Sequence, residues 1–466
     1  MHGKSSWAWR VLLALSAGVA LGTDVPGWRR DGAGHYVNAR PPRTWSAQNN
    51  VVWKQPLEKW SNASPIILGD RIFIGMEPSS LVCLSKQDGS ILWARPNPAT
   101  DTLDTEQARK DYEEKQAALA TARQVFREAD RQRKEMAAKV KENPDDTTLQ
   151  SAMKALTADF NEKRARQRAL QAEVMPATHG TNGYTTPTPM TDGRHVYALF
   201  GTGVVACYDL DGNRQWIRWI GRPVDQYGHS ASPVFSGGRL IAHVGHTVHA
   251  LDPVTGQTVW TATSKGTYGT PVALRIGEED AVLTNGGDIV RARDGHIVCR
   301  KVGSMPFTSP IVADGVIYLA DFPAARAVRL PTEAADSFEP DVLWEIRWKK
   351  RPHRERYYAS PVVHDGLFYA LNQRGDLLVL DARTGDEIYA HRIPDLKGTM
   401  YPSLTLADGL LFASSDRGVT VIFKPGREFE AVAVNTLEPF RSSPVFSGDR
   451  MYIRTHKHMI CLGERP

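Results

Sequence analysis

Aromatic and polar residues recur just before a Ser/Thr-Pro step that the sequence repeats, as in Tyr358-Ala359-Ser360-Pro361. Concave rings of such side chains suit small ligands, sugars or peptide strands. The alternative is that the aromatic rings pack between neighbouring structural elements. No Ser/His/Asp set and no pair of carboxylates can be assigned from spacing, so no catalytic residue is predicted. The candidate ligand-binding residues are Asn62, Asn182, Tyr184, Tyr227, His229, Tyr268, Phe307, Tyr357, Tyr358, Tyr401 and Arg441.

Three histidines, His243, His246 and His249, lie close together in the sequence. On a strand they do not make a convincing metal site, because a turn at His246 separates the other two and no carboxylate is nearby. The 4 cysteines include no adjacent pair and no CxxC motif. Isolated cysteines of this kind usually behave as small buried hydrophobic residues. The sequence therefore predicts neither a metal site nor a bound cofactor.

The elements that position the candidate residues are short strands in a repeated unit. Residues 228–263 form four strand-like runs separated by turns at Gly237-Gly238, Gly245-His246 and residues 252–256. A four-stranded antiparallel meander cannot bury both faces alone, so it needs neighbours of the same kind. The chain supplies similar copies that begin at Ser61, Tyr184, Tyr268, Phe307, Tyr358, Tyr401 and Arg441.

The eighth copy stops after three strands. The run 50–56, near the other end of the chain, resembles the missing strand because Trp53 occupies the place of the Trp in other copies. Completing the last blade in this way leaves no free edge between the first and last blades. The predicted fold is therefore all-β, an eight-bladed β-propeller of four-stranded antiparallel blades closed by N- and C-terminal strands. Seven blades is the alternative, because the fourth, fifth and seventh copies are less regular.

An inserted segment, residues 101–176, has a different composition, rich in Ala, Glu, Lys, Arg and Gln. Tyr112, Leu119, Phe126 and Val140 are spaced by sevens or multiples of seven, which predicts a coiled-coil seam. Pro144 ends the first helix, and Asp145 or Asp146 can cap a second. The sequence thus predicts an α-helical hairpin that binds a protein partner or self-associates. A solvated arm is the alternative.

The N-terminus predicts export. Lys4 and Arg10 precede an apolar run at residues 11–21, which is typical of a signal peptide over residues 1–22. An uncleaved anchor is the alternative, although the run is short for a membrane span. The expected organisation is a lead-in at 23–49, a closing strand and first blade at 50–100, the hairpin, and blades 2 to 8 at 177–466. The expected location is the periplasm or outside the cell, in the bacterial envelope.

The net charge of +5 is mild for 466 residues and gives no case for nucleic-acid binding.

A turn motif indicates the family. It reads Leu251-Asp252-Pro253-Val254-Thr255-Gly256 and ends at Trp260. Residues 380–389 repeat it. The motif resembles the LDxxTGxxxW repeat of the pyrroloquinoline-quinone-like (PQQ-like) β-propellers, over nearly all of the chain outside the signal and the hairpin. The resemblance implies that this Trp docks the blades together.

The family contains quinoprotein dehydrogenases, which hold PQQ and calcium in the channel, and non-catalytic BamB-like outer-membrane assembly propellers. The adjacent-cysteine pair of the dehydrogenases is absent here, and no motif matches their calcium ligands. We therefore expect a non-catalytic propeller that acts as a protein- or ligand-binding scaffold. The alternatives are a PQQ-dependent oxidoreductase with PQQ and calcium, and a polysaccharide-binding or sensor propeller.

Overall fold

A computed structural model describes residues 24–174, 180–223, 227–266, 268–348 and 354–464. Within these residues the strands form eight sheets, each built on four antiparallel strands, and one sheet has a fifth, parallel strand at His35–Tyr36. The first strands of successive blades lie beside one another and surround the central channel. The predicted eight-bladed propeller is confirmed, and the seven-bladed alternative is wrong. The signal peptide predicted at 1–22 lies outside the described residues.

The blades follow one another along the chain. The strands of blades 1 to 4 are Ile66–Leu68, Arg71–Met76, Ser80–Ser85 and Ile91–Pro96; Met190–Thr191, His195–Leu199, Val204–Asp209 and Arg214–Trp219; Val234–Ser236, Arg239–Val244, Thr247–Leu251 and Thr258–Thr263; and Val272–Ile276, Glu279–Leu283, Ile289–Arg291 and Ile297–Cys299. Those of blades 5 to 8 are Ile311–Ala313, Val316–Asp321, Ala324–Arg329 and Asp341–Arg347; Val362–His364, Leu367–Leu371, Asp376–Asp381 and Glu387–Arg392; Thr405–Ala407, Leu410–Ser414, Val419–Lys424 and Glu430–Thr436; and Val445–Ser447, Arg450–Arg454, His458–Leu462 and Val51–Pro56.

The last blade combines both ends of the chain, as the sequence predicts. Strand Val51–Pro56 pairs antiparallel with His458–Leu462, with Trp53 opposite Cys461. The N-terminal strand thus supplies the fourth strand that the eighth copy lacks, and it covers an edge that would otherwise be open.

Tryptophans of the outer strands dock neighbouring blades. Their indole N–H groups donate to a backbone carbonyl in the turn of the next blade over 2.9–3.1 Å, from Trp53, Trp93, Trp216, Trp260 and Trp344. Each ring lies against the glycine of that turn. A Cβ on Gly256, for example, would lie 2.5 Å from the Trp216 ring, and Gly256 has a positive φ of 69°. This explains the Gly and the Trp of the repeated motif, because the glycine provides both the turn and the space.

The inserted hairpin consists of helix α1, Glu106–Glu142, and helix α2, Thr147–Val174. Thr105 caps α1 by accepting the Ala108 N–H, and Asp146 accepts the N–H groups of Thr148 and Leu149 at the start of α2. The helices pack against each other through Phe126 and Phe160, whose ring centroids are 5.2 Å apart. No helix of the described residues is long and apolar enough to cross a membrane.

The lead-in has no strand pattern in its sequence, yet it contacts several blades. Val25 bridges to Ile67 in blade 1, and the Thr191 N–H of blade 2 donates to Pro26 O at 2.8 Å. His35–Tyr36 adds a short parallel strand to Thr405–Ala407 of blade 7. The lead-in therefore crosses the end of the channel toward which the first strands run, and it closes that end as a plug.

A hydroxyl-lined cup in the channel

Eight Ser and Thr hydroxyls form a hydrogen-bonded circuit around the channel axis. In each blade the backbone N–H of the residue at the repeated Ser/Thr step donates to the hydroxyl of the equivalent residue in the next blade, over 2.9–3.2 Å. The circuit returns from blade 8 to blade 1. We call these residues the hydroxyl ring: Ser64, Thr188, Ser232, Thr270, Ser309, Ser360, Ser403 and Ser443.

The hydroxyl ring leaves hydrogen-bond donors facing the axis. Each ring oxygen accepts one backbone N–H, which occupies a lone pair and leaves its own O–H to donate. Among the described residues, no acceptor is present for any of these eight O–H groups. Each ring residue thus keeps one O–H donor and one lone pair, so the ring can donate to a bound group and can also accept from it.

A cavity of about 320 Å³, which we call the cup, lies on the side of this ring from which the chain enters the first strands, and we call that end of the channel the mouth. All eight ring residues line it, together with the residue two positions before each of them. We call these second residues the rim, namely Asn62, Thr186, Ser230, Tyr268, Phe307, Tyr358, Tyr401 and Arg441. Asn182 and Tyr227 also line the cup.

The rim has an aromatic half formed by blades 4 to 7. Tyr268 and Phe307 stack with centroids 5.6 Å apart and an interplanar angle of 2°. Phe307 meets Tyr358 edge-on at 5.2 Å, and Tyr358 stacks on Tyr401 at 5.0 Å. Tyr227 continues this aromatic arc at 6.2 Å from Tyr268. The aromatic candidates on the rim therefore line one continuous wall.

The other half of the rim is polar. Arg441 Nη1 donates to Thr181 O at 2.7 Å, and Asn62 Nδ2 donates to the same carbonyl at 2.6 Å. Thr181 belongs to the connection that returns from the hairpin to blade 2. The Arg441 guanidinium also lies 4.7 Å above the Tyr401 ring, where it joins the two halves of the rim.

The plug closes the floor of the cup. Trp28 lines the cavity, and the neighbouring Arg29 is buried beyond the hydroxyl ring. Arg29 Nη2 donates to Pro361 O and Leu404 O at 2.7 Å each, the carbonyls that directly follow ring residues Ser360 and Ser403. Burial lowers the pKa of Arg29 to about 10. The cup is therefore blind, with its opening at the mouth.

Three of the candidate residues are placed outside the cup. Tyr357 is buried and stacks on Trp348, and burial raises its pKa. His229 is buried, and burial lowers its pKa to about 4. Tyr184 is half-buried, and its backbone N–H donates to Glu77. His229 and Tyr357 stand three positions before a ring residue, where the side chain turns into the protein rather than toward the axis.

Sequence reasoning did not identify several cup residues. Trp28 and the neighbouring Arg29 lie in the lead-in, and Arg356 follows the fifth blade. The small rim residues Thr186 and Ser230 have common side chains that do not by themselves indicate a binding site. The hydroxyl ring did carry a signal, because seven of its eight members precede a proline. By residue type alone, the Ser/Thr-Pro step marks the repeat and does not indicate a site.

The charge of the cup is positive. Arg356 and Arg441 line it, and no Asp, Glu, His, Cys or Lys does so among the described residues. Calcium requires several oxygen ligands, usually with carboxylates among them. The cup offers hydroxyl and amide oxygens but no carboxylate, so the set does not fit a calcium ion of the quinoprotein kind. Across the described residues, no cluster of three or more His, Cys, Asp or Glu side chains is arranged to hold a metal.

A buried carboxylate behind the rim, that of Asp321, holds the backbone in place. Asp321 is buried and accepts the N–H groups of Phe307 at 2.9 Å and Thr308 at 3.2 Å. It also accepts the Phe322 N–H at 2.7 Å. Burial raises the pKa of Asp321 to about 6, although these backbone donors act in the opposite direction. Asp321 thus fixes the backbone that presents Phe307.

These features define an eight-bladed propeller with a plugged channel and a small-molecule-sized cup. The chain belongs to the PQQ-like propeller family whose model is described as "Outer membrane protein assembly factor BamB", which matches residues 9–132, 162–277 and 244–463. No curated protein shows significant similarity to the chain.

Solved structures give the same fold at low identity. A quinohemoprotein alcohol dehydrogenase from Comamonas testosteroni has a TM-score of 0.55 and 11% identity, covering 97% of this chain and 82% of that one. The computationally designed Ika8 protein has a TM-score of 0.52 and 8% identity, covering 89% and 100%. BamB from Moraxella catarrhalis has a TM-score of 0.46 and 13% identity, covering 58% and 82%. The first two likenesses support the propeller fold alone.

Proposed function

We propose that this chain is a non-catalytic propeller of the bacterial cell envelope that binds a ligand in its cup. The observation that carries the proposal is the composition of the cup wall. Its described residues include no carboxylate, imidazole, thiol or amine that could act as a general base or an activated nucleophile. They do include stacked aromatic rings, hydroxyls and arginines, which are groups that orient a bound molecule.

The envelope location rests on the N-terminal sequence. An apolar run follows Lys4 and Arg10, and we propose that residues 1–22 are removed on export. The plug begins shortly after this point, with Val25 already paired to blade 1. Mass spectrometry of the protein from an envelope fraction tests this, since cleavage leaves an N-terminus near Thr23.

We propose that the hairpin offers a second contact surface, for a protein partner or another copy. The apolar residues Leu119, Ala122 and Ala129 are buried in the hairpin, and Val125 is exposed on α1. The hairpin base is joined to the cup through Thr181, so a partner there would lie beside the mouth. Light scattering of wild type and of a Val125→Glu variant tests self-association.

The rival function, a quinone-dependent oxidoreductase, is tested directly. Purified mature protein is titrated with PQQ in the presence of calcium, and dye reduction with alcohols or sugars is measured. The non-catalytic proposal predicts no substrate-dependent dye reduction at saturating quinone. Turnover that depends on both quinone and calcium would overturn it.

A further inference from the structure

Two arginines of the cup lack the acidic partners that other arginines of this chain have. Arg374 pairs with Glu355 at 3.2 Å and Arg392 with Asp376 at 3.2 Å. Neither Arg356 nor Arg441 forms an ion pair within the described residues. The described wall residues thus include two positive charges and no carboxylate.

Arg441 is the better placed of the two. Its Nη1 donates to Thr181 O at 2.7 Å, and its Nε is buried without a hydrogen-bond partner among the described residues. A buried donor that lacks a partner costs free energy, and an acceptor group on a ligand would relieve that cost. Arg356 lies 5.6 Å from the Phe307 ring centroid and 3.5 Å from Tyr358 Oη, so it stands above the aromatic half.

The hydroxyl ring adds donors to these charges. Its eight O–H groups line the same cavity and have no protein acceptor within the described residues. A group rich in acceptor oxygens satisfies such donors, and an ionised one does so more strongly. The adjacent arc from Tyr268 to Tyr401 provides apolar ring surface for a flat body.

We infer that the cup takes a small organic anion, with its carboxylate or phosphate at the arginines and hydroxyls and its flat body on the aromatic arc. This inference rests on the proposed binding function of the cup. It assigns the chemical class of the ligand and the residues that select it. The cavity of about 320 Å³ limits the body to one of a few rings.

Calorimetric titration with matched probes tests the assignment. The probes share a naphthalene body and differ in charge: 2-naphthoate, 2-naphthyl phosphate, 2-naphthylmethanol and 2-naphthylmethylamine. We expect at least one anion to bind about tenfold more tightly than the alcohol, since a hydrogen bond to a charged group is stronger than one to a neutral group. The amine should bind most weakly. The two anions show whether carboxylate or phosphate is preferred.

Variants of the two cup arginines test which residues give the preference for anions over the neutral alcohol. Arg356→Gln and Arg441→Gln should each weaken binding of the better anion about tenfold and change the affinity for the alcohol less than about twofold. Arg441→Lys should restore part of the loss. Arg383→Gln is the matched control, because Arg383 is an exposed arginine in the repeated turn of blade 6, away from the cup. Arg383→Gln should bind as the wild type does.

The outcomes are separable from those of the proposed function. Equal or tighter binding of the alcohol or the amine overturns the anion assignment and leaves a binding cup. Failure of all four probes to bind overturns it too. Quinone-dependent dye reduction overturns the non-catalytic function and leaves the charge preference as measured.

Discussion

The backbone N–H of Ser443 in blade 8 donates to Ser64 Oγ in blade 1 at 2.9 Å, across 379 positions of sequence. This hydrogen bond completes the hydroxyl ring. The circuit links the first strands of all eight blades at the level of the cup floor, so the same side chains hold the blades in register and line the candidate site.

Removing one hydroxyl should open the circuit. Ser64→Ala leaves the buried Ser443 N–H without an acceptor, and we expect a loss of about 1–3 kcal/mol in the free energy of unfolding. Ser64→Thr is the control, because Thr188 and Thr270 fill the same position in other blades. Urea unfolding measures both variants. An alanine variant as stable as the threonine variant would contradict a structural role for the ring.

The docking of Trp216 on Gly256 can be separated from backbone strain. Gly256 and Gly238 both have φ of 69°, but only Gly256 would bring a Cβ within 4 Å of other atoms, at 2.5 Å from the Trp216 ring. Alanine at either position incurs a left-handed backbone cost of about 1–2 kcal/mol. Gly256→Ala should lower the free energy of unfolding by about 1–3 kcal/mol more than Gly238→Ala does, because the Trp216 indole must move to make room for the new Cβ. Equal urea midpoints for the two variants would show that docking is not tight.

Asp321 should make stability depend on pH in an unusual direction. Its pKa of about 6 in the folded protein is above the ordinary 3.8, so the folded state holds this proton more tightly than the unfolded state. Its stabilising contribution is therefore fully present below about pH 4 and is lost as pH rises through about 6. When the pH is lowered from 7 to 4, the free energy of unfolding of the wild type should rise by about 2 kcal/mol relative to that of Asp321→Asn.

Denaturant midpoints of both proteins at each pH isolate this term, because the other groups cancel in the difference. Asp88→Asn serves as the comparison. The pKa of Asp88 is lowered by hydrogen bonds from Ser90 and Ser85, so its contribution is lost only as the pH falls below the ordinary range. The Asp88 difference should be flat between pH 5 and pH 7. A flat Asp321 difference over the same range would mean that the carboxyl is not buried.

The side chain of Arg29 should hold the plug against blades 6 and 7. Arg29→Met keeps a long side chain but removes the group that donates to Pro361 O and Leu404 O. We therefore expect the free energy of unfolding to fall by about 2–4 kcal/mol. Arg30→Met is the neighbouring control, because within the described part of the chain the Arg30 guanidinium makes one long hydrogen bond of 3.4 Å, to His35 O. Urea unfolding and acrylamide quenching of Trp fluorescence compare the two. Equal effects would indicate that Arg29 does not anchor the plug.

Much of the fold could be predicted because its signals are local. Each blade carries its own turn glycines and Ser/Thr-Pro step, and strand length and turn chemistry follow from residues next to each other in sequence. The hairpin follows from heptad spacing and Pro144. Even the strand shared between the chain ends was visible, because Trp53 repeats the docking residue of other blades.

The sequence by itself thus determined the repeated blade, the completion of the last blade by the N-terminal strand and the inserted hairpin, and it favoured eight blades over seven. Only the tertiary structure decided which residues face the axis. In an extended segment a shift of one residue turns the side chain to the other side, which places Tyr358 on the rim and Tyr357 in the core. The plug was decided in the same way, because Arg29 meets its carbonyl partners 332 and 375 positions away. No local pattern specifies such contacts, since they arise only when the blades surround a common channel.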